Sequence, residues 1–166
     1  LDHQIAFRAL DAATMALGMG LQVGTLVIYE TTLPVGTTRC RVALMLEETA
    51  GYSAGRDFYL AYSPERVSSG SVLHDLHTYP KVVGGLNAHS TATAETFYRS
   101  VLPVPIITMA STDEAEFVKL IETTYRDVNI ALANEYAQYA DVHGLSVMAA
   151  ISAANSQPYS HIHIPG

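Results

Sequence analysis

The fold is decided first by residues 25–38, which read TLVIYETTLPVGTT. Residues 25–29 form a short apolar run, and such runs are typical of strands that are covered on both faces of a sheet. Pro34 and Gly36 follow, and this pair favours a turn. A threonine at position 37 or 38 is suited to cap a helix, because its hydroxyl can accept a hydrogen bond from a free amide group of the first turn. The stretch therefore predicts a strand, a turn and a helix in direct succession.

Strands and helices alternate on both sides of this stretch. A helical pattern over about residues 4–17 precedes it, and the helix that follows it is expected to end at Ala50, before Gly51. Three more strands and one more helix follow, and we expect them at residues 57–62, 81–83 and 105–108 and at residues 87–101, respectively. Because short connections join alternating strands and helices, we predict an α/β fold with a parallel sheet wound by helices.

The pattern changes in the last third of the chain. Residues 111–114, Ser-Thr-Asp-Glu, form a capping box, and helical periodicity then continues to about His143 without Gly or Pro. A helix of ~30 residues is ~45 Å long, more than a wound layer requires. A second helix is expected at residues 146–155. We therefore divide the chain into residues 1–110, a wound domain, and residues 111–166, an incomplete helical domain.

The composition argues against several classes of protein and site. A formal net charge of −7 disfavours binding to nucleic acid or to an anionic membrane surface. Residues 12–29 carry no charge, but glycines interrupt them, so they do not predict a membrane span. Cys40, the only cysteine, excludes an intrachain disulfide and fits a reducing, cytoplasmic location. His161 and His163 have no cysteine or carboxylate cluster nearby, so we expect no metal site.

The first candidate site is the loop that follows the strand at residues 25–29. Ligands of open wound sheets bind in the crevice beyond the carboxyl ends of the strands, and a helix N-terminus there offers free amide donors. Thr31 and Thr32 would line that crevice with hydroxyl groups. The alternative is an ordinary strand–turn–helix connection with Thr37 as the helix cap.

The second candidate site is the sequence YSPER at residues 62–66, directly after the next predicted strand. Pro64 favours an extended turn that places Glu65 and Arg66 side by side. A carboxylate near the crevice can act as general acid or base, and an arginine can bind a carboxylate or a phosphate through two hydrogen bonds. The alternative is a solvated Glu–Arg pair on a loop.

The third candidate site lies on the long helix. One face carries polar side chains at helical spacing, namely Glu116, Lys119, Thr123 and Arg126. The neighbouring face carries an apolar stripe that we expect to be buried, in part against a second copy of the chain: Val118, Ile121, Tyr125, Val128 and Leu132. A lysine beside such a stripe is alternatively only a surface side chain whose aliphatic part covers apolar atoms.

These motifs, in this order, resemble the UDP-glucose/GDP-mannose dehydrogenase family. Residues 30–38 are similar to its threonine motif at a strand end. Residues 63–66 are similar to its glutamate loop, in the form found in dehydrogenases of UDP-N-acetylhexosamines such as UDP-N-acetyl-D-mannosamine. Residues 81–85, KVVGG, and residues 115–120 with residues 125–135 are similar to its next two blocks. The resemblance extends over about residues 23–166.

The resemblance implies a fold and an activity. The fold is α/β, with the second half of a Rossmann-like NAD-binding domain followed by an α-helical dimerisation domain that has one long central helix. The activity is NAD-dependent oxidation of the C6 hydroxyl of a UDP-sugar to a carboxylate, through an aldehyde and a cysteine thioester, for polysaccharide biosynthesis. A UDP-N-acetylhexosamine is the expected substrate, NAD the expected cofactor, and a homodimer through the long helix the expected assembly.

The resemblance also implies roles for single residues. Thr32 matches the hydroxyl that positions a catalytic water, and Glu65 matches the general acid/base. Lys119 matches the ammonium that stabilises the oxyanion at C6, and donors aimed at developing charge are usually the largest catalytic contribution. Thr123 stands where most members have Asn, and its hydroxyl reaches less far than an amide. We further expect NAD to contact Thr31, Thr32 and Glu65, and the substrate to contact Glu65, Arg66 and Lys119.

The ends of the chain depart from the family pattern. The family's nucleophilic cysteine follows shortly after a Pro-Gly like that at residues 165–166, and its glycine-rich NAD loop lies upstream. We therefore expect the chain to be truncated at both ends and unable to turn over. One alternative is a catalytically inactive dimerisation or binding fragment of the family, which Thr123 favours. Another is an NAD-linked dehydrogenase of the hydroxyacid type, against which the SPER loop argues.

Overall fold

The computed structural model describes residues 5–68 and 70–166 of the chain. The chain divides into two compact units, residues 1–119 and residues 120–166. The first helix, α1, spans Arg8–Gly20. Its predicted start at Gln4 lies outside the described residues.

The first unit is built on a four-stranded sheet with the strand order β1-β2-β3-β4. Strands β1 and β2 are parallel, and so are β3 and β4. The strands span Leu26–Tyr29 (β1), Tyr59–Tyr62 (β2), Lys81–Gly85 (β3) and Ile106–Met109 (β4). The α/β fold is thereby confirmed.

The pair β2–β3 is antiparallel, which corrects the prediction of a fully parallel sheet. A parallel neighbour requires a crossover of a dozen or more residues, usually an α-helix. Among its described residues, 63–68 and 70–80, the connection between β2 and β3 contains one five-residue helix, α3, Val72–Leu76. Because α3 is too short to cross the sheet, the chain returns in the opposite direction. The amino end of β3, Lys81, therefore lies at the same edge as the carboxyl ends of β1 and β2.

Helices pack on this sheet through two apolar clusters. Helix α2, Ala43–Ala50, is preceded by a π-helical turn at Thr38–Val42, and α4 spans Ala88–Val101. Leu46 of α2 is fully buried with residues of β1 and β2, and Ala94 of α4 is fully buried with residues of β2, β3 and β4. A fully buried leucine contributes about 1.5–3 kcal/mol. These clusters fix the sheet edge at which the threonine loop begins.

Gly84 and Gly85 continue β3 beyond its predicted end at residue 83. A Cβ atom on Gly84 would lie 2.1 Å from the carbonyl oxygen of Ser111, and one on Gly85 would lie 2.2 Å from the amide nitrogen of Thr91. Only glycine permits this approach. The two glycines therefore bring β3 close to the starts of α4 and of the long helix.

The long helix α5 spans Thr112–His143, 32 residues, which confirms the predicted length. The hydroxyl of Ser111 accepts a hydrogen bond from the amide of Glu114 at 3.2 Å, as expected of a helix cap. Helix α6 spans Val147–Ala154. Among residues 5–68 and 70–166, no helix combines the length and the apolar character that a bilayer crossing requires.

Most of the apolar stripe of α5 is exposed in the single chain, and its expected burial against a second copy stays a prediction. Ile121 is 52 % exposed and Val128 is 58 % exposed, and Tyr125 and Leu132 are exposed as well. In the second unit only three residues are buried, Ala133, Ala140 and Ile151. A unit of this size has too little chain to cover a stripe of that length.

Candidate functional site

The threonine loop, residues 30–38, and the glutamate loop, residues 63–68, leave the sheet side by side. The amide of Ser63 donates to the carbonyl of Tyr29 at 2.9 Å, and the amide of Glu65 donates to the carbonyl of Glu30 at 3.2 Å. These bonds continue the parallel β1–β2 pairing by one step beyond the strands. Backbone hydrogen bonds therefore join the two predicted motifs.

The threonine loop is fixed by contacts at both ends. The hydroxyl of Tyr62 donates to the carbonyl of Thr31 at 2.9 Å. Burial, and then the nearby Glu116 carboxylate, raise the pKa of Tyr62 to about 12, so this hydroxyl keeps its proton at neutral pH. At the other end Gly36 has a φ of 85°, a conformation that favours glycine.

A buried carboxylate caps the helix that follows the loop. Glu116 of α5 accepts hydrogen bonds from the amide of Gly36 at 2.6 Å, the amide of Thr38 at 2.8 Å and the hydroxyl of Thr38 at 2.6 Å. Its negative charge is compensated by these donors at a helix N-terminus. The predicted cap by the hydroxyl of Thr37 or Thr38 is wrong, because the former donates to the carbonyl of Pro34 and the latter donates to Glu116. Glu116 therefore joins the threonine loop to α5.

Lys119 lies one helical turn after Glu116 and contacts the other loop. Its ammonium donates to the backbone carbonyl of Glu65. The Glu65 carboxylate accepts, through Oε1, the amide of Arg66 at 2.7 Å and the amide of Val67 at 3.0 Å. Helix α5 is thus bonded to both loops, through Glu116 to one and through Lys119 to the other.

These elements surround one open polar cleft of about 480 Å³. Its walls carry hydroxyl, carboxylate and ammonium groups, which come from Glu30, Thr31, Thr32, Glu65 and Lys119. The apolar side chain of Val67 completes the lining. Four residues that were predicted from separate motifs are thereby brought together. An ammonium beside two hydroxyls and two carboxylates can hold a hydroxyl-bearing ligand and exchange a proton with it.

A second cavity, of about 510 Å³, adjoins the threonine loop on the side of α1. It shares Glu30, Thr31 and Thr32 with the polar cleft, and its other walls are mostly apolar, with Leu10 of α1 and Ile28 of β1 among them. The loop therefore separates a polar compartment from an apolar one. An apolar cavity that ends in hydroxyl groups is suited to a flat ring with a polar substituent.

Two predicted residues lie elsewhere. Arg66 lines a separate cavity of about 20 Å³, which holds about one water, and its guanidinium donates to the carbonyl of Pro80 at 3.1 Å. Thr123 lies on α5 one turn after Lys119, within the second unit, and its hydroxyl donates to the carbonyl of Leu120 at 3.3 Å. Both residues are half-buried.

Cys40 is exposed. It lies on the π-helical turn that precedes α2 and lines neither the polar cleft nor the apolar cavity. In the part of the chain that the structure describes, no three His, Cys, Asp or Glu side chains are grouped as metal ligands would be.

Three charged or polar residues at the cleft, Glu30, Lys81 and Tyr98, were given no role from the sequence. Lys81, 6 % exposed, forms an ion pair with Glu30 at 2.8 Å, and the hydroxyl of Tyr98 donates to the same carboxylate. A charged residue at the start of the apolar run KVVGG was the available signal, because a buried lysine needs a counter-charge. Its partner was not readable, because the direction of β3 was wrongly predicted.

The chain was compared with known protein families and relatives. Residues 2–102 match the family model "UDP-glucose/GDP-mannose dehydrogenase family, NAD binding domain", and residues 113–166 match the central domain of the same family. The UDP-N-acetyl-D-mannosamine dehydrogenase of Pyrococcus horikoshii is 43 % identical over 158 residues, which are 95 % of this chain and 37 % of that relative. The chain thus spans little more than a third of that protein's length.

Solved structures agree with this assignment. A structure of UDP-D-ManNAc dehydrogenase from Pyrococcus horikoshii superposes with a TM-score of 0.91 and 41 % identity, covering 97 % of this chain and 38 % of that one. The native UDP-N-acetyl-mannosamine dehydrogenase of Staphylococcus aureus gives a TM-score of 0.86 and 33 % identity, covering 97 % and 39 % of the two chains. The two family models together match most of residues 1–166. The chain belongs to the UDP-glucose/GDP-mannose dehydrogenase family.

Proposed function

We propose that this chain is the part of an NAD-dependent nucleotide-sugar 6-dehydrogenase that carries most of its acid–base and oxyanion-binding groups. The observation that supports this most is the convergence of Thr32, Glu65 and Lys119 on one polar cleft in a member of this family. The relatives act, by name, on UDP-N-acetyl-D-mannosamine. We therefore propose a UDP-N-acetylhexosamine as the substrate and polysaccharide biosynthesis as the purpose.

The proposed roles follow from the positions in the cleft. The exposed Thr32 hydroxyl positions a water, and Glu65 takes up and returns protons at the C6 hydroxyl and at that water. The Lys119 ammonium stabilises the negative oxygen that forms at C6. Thr123 is proposed to support Lys119 from the next turn. Arg66 stays a predicted substrate contact, although its guanidinium is bonded to the carbonyl of Pro80.

The residues present fit NAD. The apolar cavity beside α1 ends at the hydroxyls of Thr31 and Thr32, a combination suited to the nicotinamide ring and its amide. When bound, NAD supplies the acceptor for the hydride that leaves C6. Thr31 and Thr32 orient the ring on one side of the loop, while Glu65 and Lys119 hold the reacting carbon's oxygen on the other.

The proposal includes a homodimer through α5, a two-domain organisation and a cytoplasmic location. The exposed stripe that contains Ile121 and Val128 supports the dimer, because contiguous apolar surface of this kind marks interaction sites. The family models end at residue 102 and begin again at residue 113, which supports a division after residue 110. The single cysteine, Cys40, is consistent with a reducing compartment.

A second candidate function is an inactive dimerisation or binding fragment of the same family. The exposed stripe on α5 and the presence of Thr123 in place of the usual Asn favour it. Membership of this family leaves the hydroxyacid-dehydrogenase alternative without support.

The test uses a polypeptide of the relatives' full length. A chimera is made in which residues 1–166 replace the matching segment of the Pyrococcus horikoshii relative. We expect the chimera to form NADH from NAD and UDP-N-acetyl-D-mannosamine, followed by absorbance. The 166-residue chain alone should show no turnover, because its only cysteine lines neither cavity. Steady turnover by the chain alone that Cys40→Ser abolishes would contradict this assignment.

Within the chimera, Lys119→Ala should lower kcat by at least ~100-fold if the ammonium stabilises an oxyanion. Arg99→Ala is the matched control, because this exposed cation lies on α4 and pairs only with Glu95 among the described residues. Equal activity of the Lys119→Ala and Arg99→Ala variants would exclude the proposed role of Lys119. A chimera that folds but binds neither NAD nor the UDP-sugar would favour the inactive fragment.

A further inference from the structure

Glu30 is a carboxylate of the cleft to which the family resemblance assigned no role. It follows β1 directly, and its side chain is 41 % exposed. It lines both the polar cleft and the apolar cavity. Any ligand that reaches from one compartment into the other therefore passes this side chain.

One oxygen of Glu30 is held from inside the protein. Oε1 lies 2.8 Å from the ammonium of Lys81 and also accepts the hydroxyl of Tyr98. Lys81 and Tyr98 are only 6 % and 5 % exposed, so this part of the network is shielded from water. A buried ammonium must be paired, and Glu30 supplies its counter-charge.

Lys81 and Tyr98 also contact each other. Lys81 Nζ also lies 5.1 Å from the centroid of the Tyr98 ring, within the range of a cation–π contact. Burial, and then the hydrogen bond to Glu30, raise the pKa of Tyr98. Its hydroxyl therefore keeps its proton and remains a donor to Oε1. The direction of the Glu30 carboxylate is thus fixed before any ligand binds.

The second oxygen of Glu30 has a different environment. Among the residues that the structure describes, none forms a hydrogen bond with Oε2, whereas an ionised carboxylate has about four acceptor positions. The cleft walls nearby offer hydroxyls and the ammonium of Lys119, which donates to the carbonyl of Glu65. A fixed carboxylate in such a place attracts hydroxyl donors and repels phosphates and carboxylates.

We propose that Glu30 is a ligand-binding residue of this cleft, which accepts a hydrogen bond from a sugar hydroxyl through Oε2, and that Lys81 and Tyr98 are positioning residues which hold Oε1. The inference rests on the proposed function, because that function supplies ligands rich in hydroxyls. The hydroxyl belongs either to the hexose of the UDP-sugar or to a ribose of NAD, and the chemistry of recognition is the same. A purely structural Glu30 would serve only as counter-charge to Lys81.

The experiment uses Glu30→Gln in the chimera. The amide oxygen of Gln can still accept from Lys81 and Tyr98, while an NH₂ group replaces Oε2 and can no longer accept from a hydroxyl. We expect the KM of one ligand to rise at least ~10-fold, since hydrogen bonds to charged groups are strong, with a smaller change in kcat. A rise in KM for the UDP-sugar identifies the hexose, and a rise in KM for NAD identifies the ribose. Glu95→Gln, at a carboxylate on α4 that is 29 % exposed and lies outside both cavities, is the matched control and should change neither value.

Tyr98→Phe tests the positioning role. It removes one of the two donors to Oε1 and keeps the ring that packs beside Lys81. The same KM should rise by about 3-fold, a smaller effect than that of Glu30→Gln, because the ion pair remains. Lys81→Met tests the same role, because it leaves the Glu30 carboxylate without its cation. If Lys81→Met fails to fold, Tyr98→Phe alone tests the positioning role.

Binding is measured as well as turnover, by calorimetric titration of NAD and of UDP-N-acetyl-D-mannosamine separately. Glu30→Gln with both dissociation constants and both KM values unchanged, and only a lower unfolding temperature, would overturn the inference and leave the proposed function intact. An inactive chimera that binds a ligand less tightly after Glu30→Gln would support the inference and contradict only the proposed activity. Binding of neither ligand to the unmodified chimera would overturn both.

Discussion

The two units of the chain differ in how completely each pairs its polar groups and buries its apolar side chains. In the first unit, polar side chains are buried and bonded, and none of the buried side-chain nitrogen or oxygen atoms in the described residues lacks a hydrogen-bond partner. In the second unit, only three residues are buried, and large apolar side chains face solvent, among them Tyr136, Tyr139, Val142, Leu145 and Met148. The first unit therefore has its interactions in place, whereas the second has apolar surface to cover.

The difference is explained by the kind of interaction that each unit uses. Hydrogen bonds and ion pairs are directional, so a loop network such as that of Glu116 and Glu30 is complete once its few partners are present. Apolar burial is proportional to area, so a helix pair such as α5 and α6 gains stability only when a large surface covers it. The candidate site can thus be pre-formed in a chain whose helical part still exposes apolar surface.

The largest expected effect on stability in the first unit is that of removing the Glu116 carboxylate. Glu116→Ala leaves the amides of Gly36 and Thr38 without their acceptor, so the free energy of unfolding of the 166-residue chain should fall by about 2–4 kcal/mol. Asp113→Ala is the control, because the ion pair of Asp113 with Arg39 joins the same two elements at the exposed surface and contributes less than about 1 kcal/mol. Urea unfolding measures both. Equal losses would mean that the first unit does not depend on its buried network.

An intermediate effect concerns the apolar stripe of α5. We expect the chain to sediment as a dimer at micromolar concentration, and Val128→Asp should weaken that dimer at least ~10-fold, because a charge would be buried at the interface. Val23→Asp is the control, since Val23 is 66 % exposed in a turn of the first unit. A chain that remains monomeric at all concentrations would show that the exposed stripe does not need a second copy.

The smallest effect is a pH dependence in the first unit. The folded pKa of Tyr98 lies above its unfolded value, so its contribution to stability is complete below about pH 10 and is lost as the pH rises towards the folded pKa. Between pH 9 and pH 10.5 the chain should lose about 0.8 kcal/mol through this residue, and Tyr98→Phe should abolish that part of the loss. Tyr79→Phe, at an exposed position, should leave the loss unchanged. Chemical denaturation at the two pH values measures it, and identical slopes for all three proteins would contradict a protonated Tyr98 network.

Much of the fold was readable from local patterns. The strands, α4 with its Asn87 cap and the 32-residue α5 begin and end within a few residues of the predicted positions, because apolar periodicity and capping residues act over one or two turns of chain. The direction of β3 was not readable, because it depends on a connection that is long enough for a crossover but whose helix α3 is too short to make one. The cap of the π-helical turn was not readable either, since its acceptor comes from Glu116, distant in sequence.

The candidate site divides in the same way. The sequence by itself determined the family and the order of the motifs, and it singled out Thr32, Glu65 and Lys119 as candidates, because these depend on residue type and local spacing. Only the tertiary structure decided that Lys81 and Tyr98 meet Glu30 and that the cleft has a second carboxylate. The physical reason is that a buried charge such as Lys81 needs a counter-charge. Lys81 reaches Glu30 because β3 runs antiparallel to β2, and no local pattern indicates that direction.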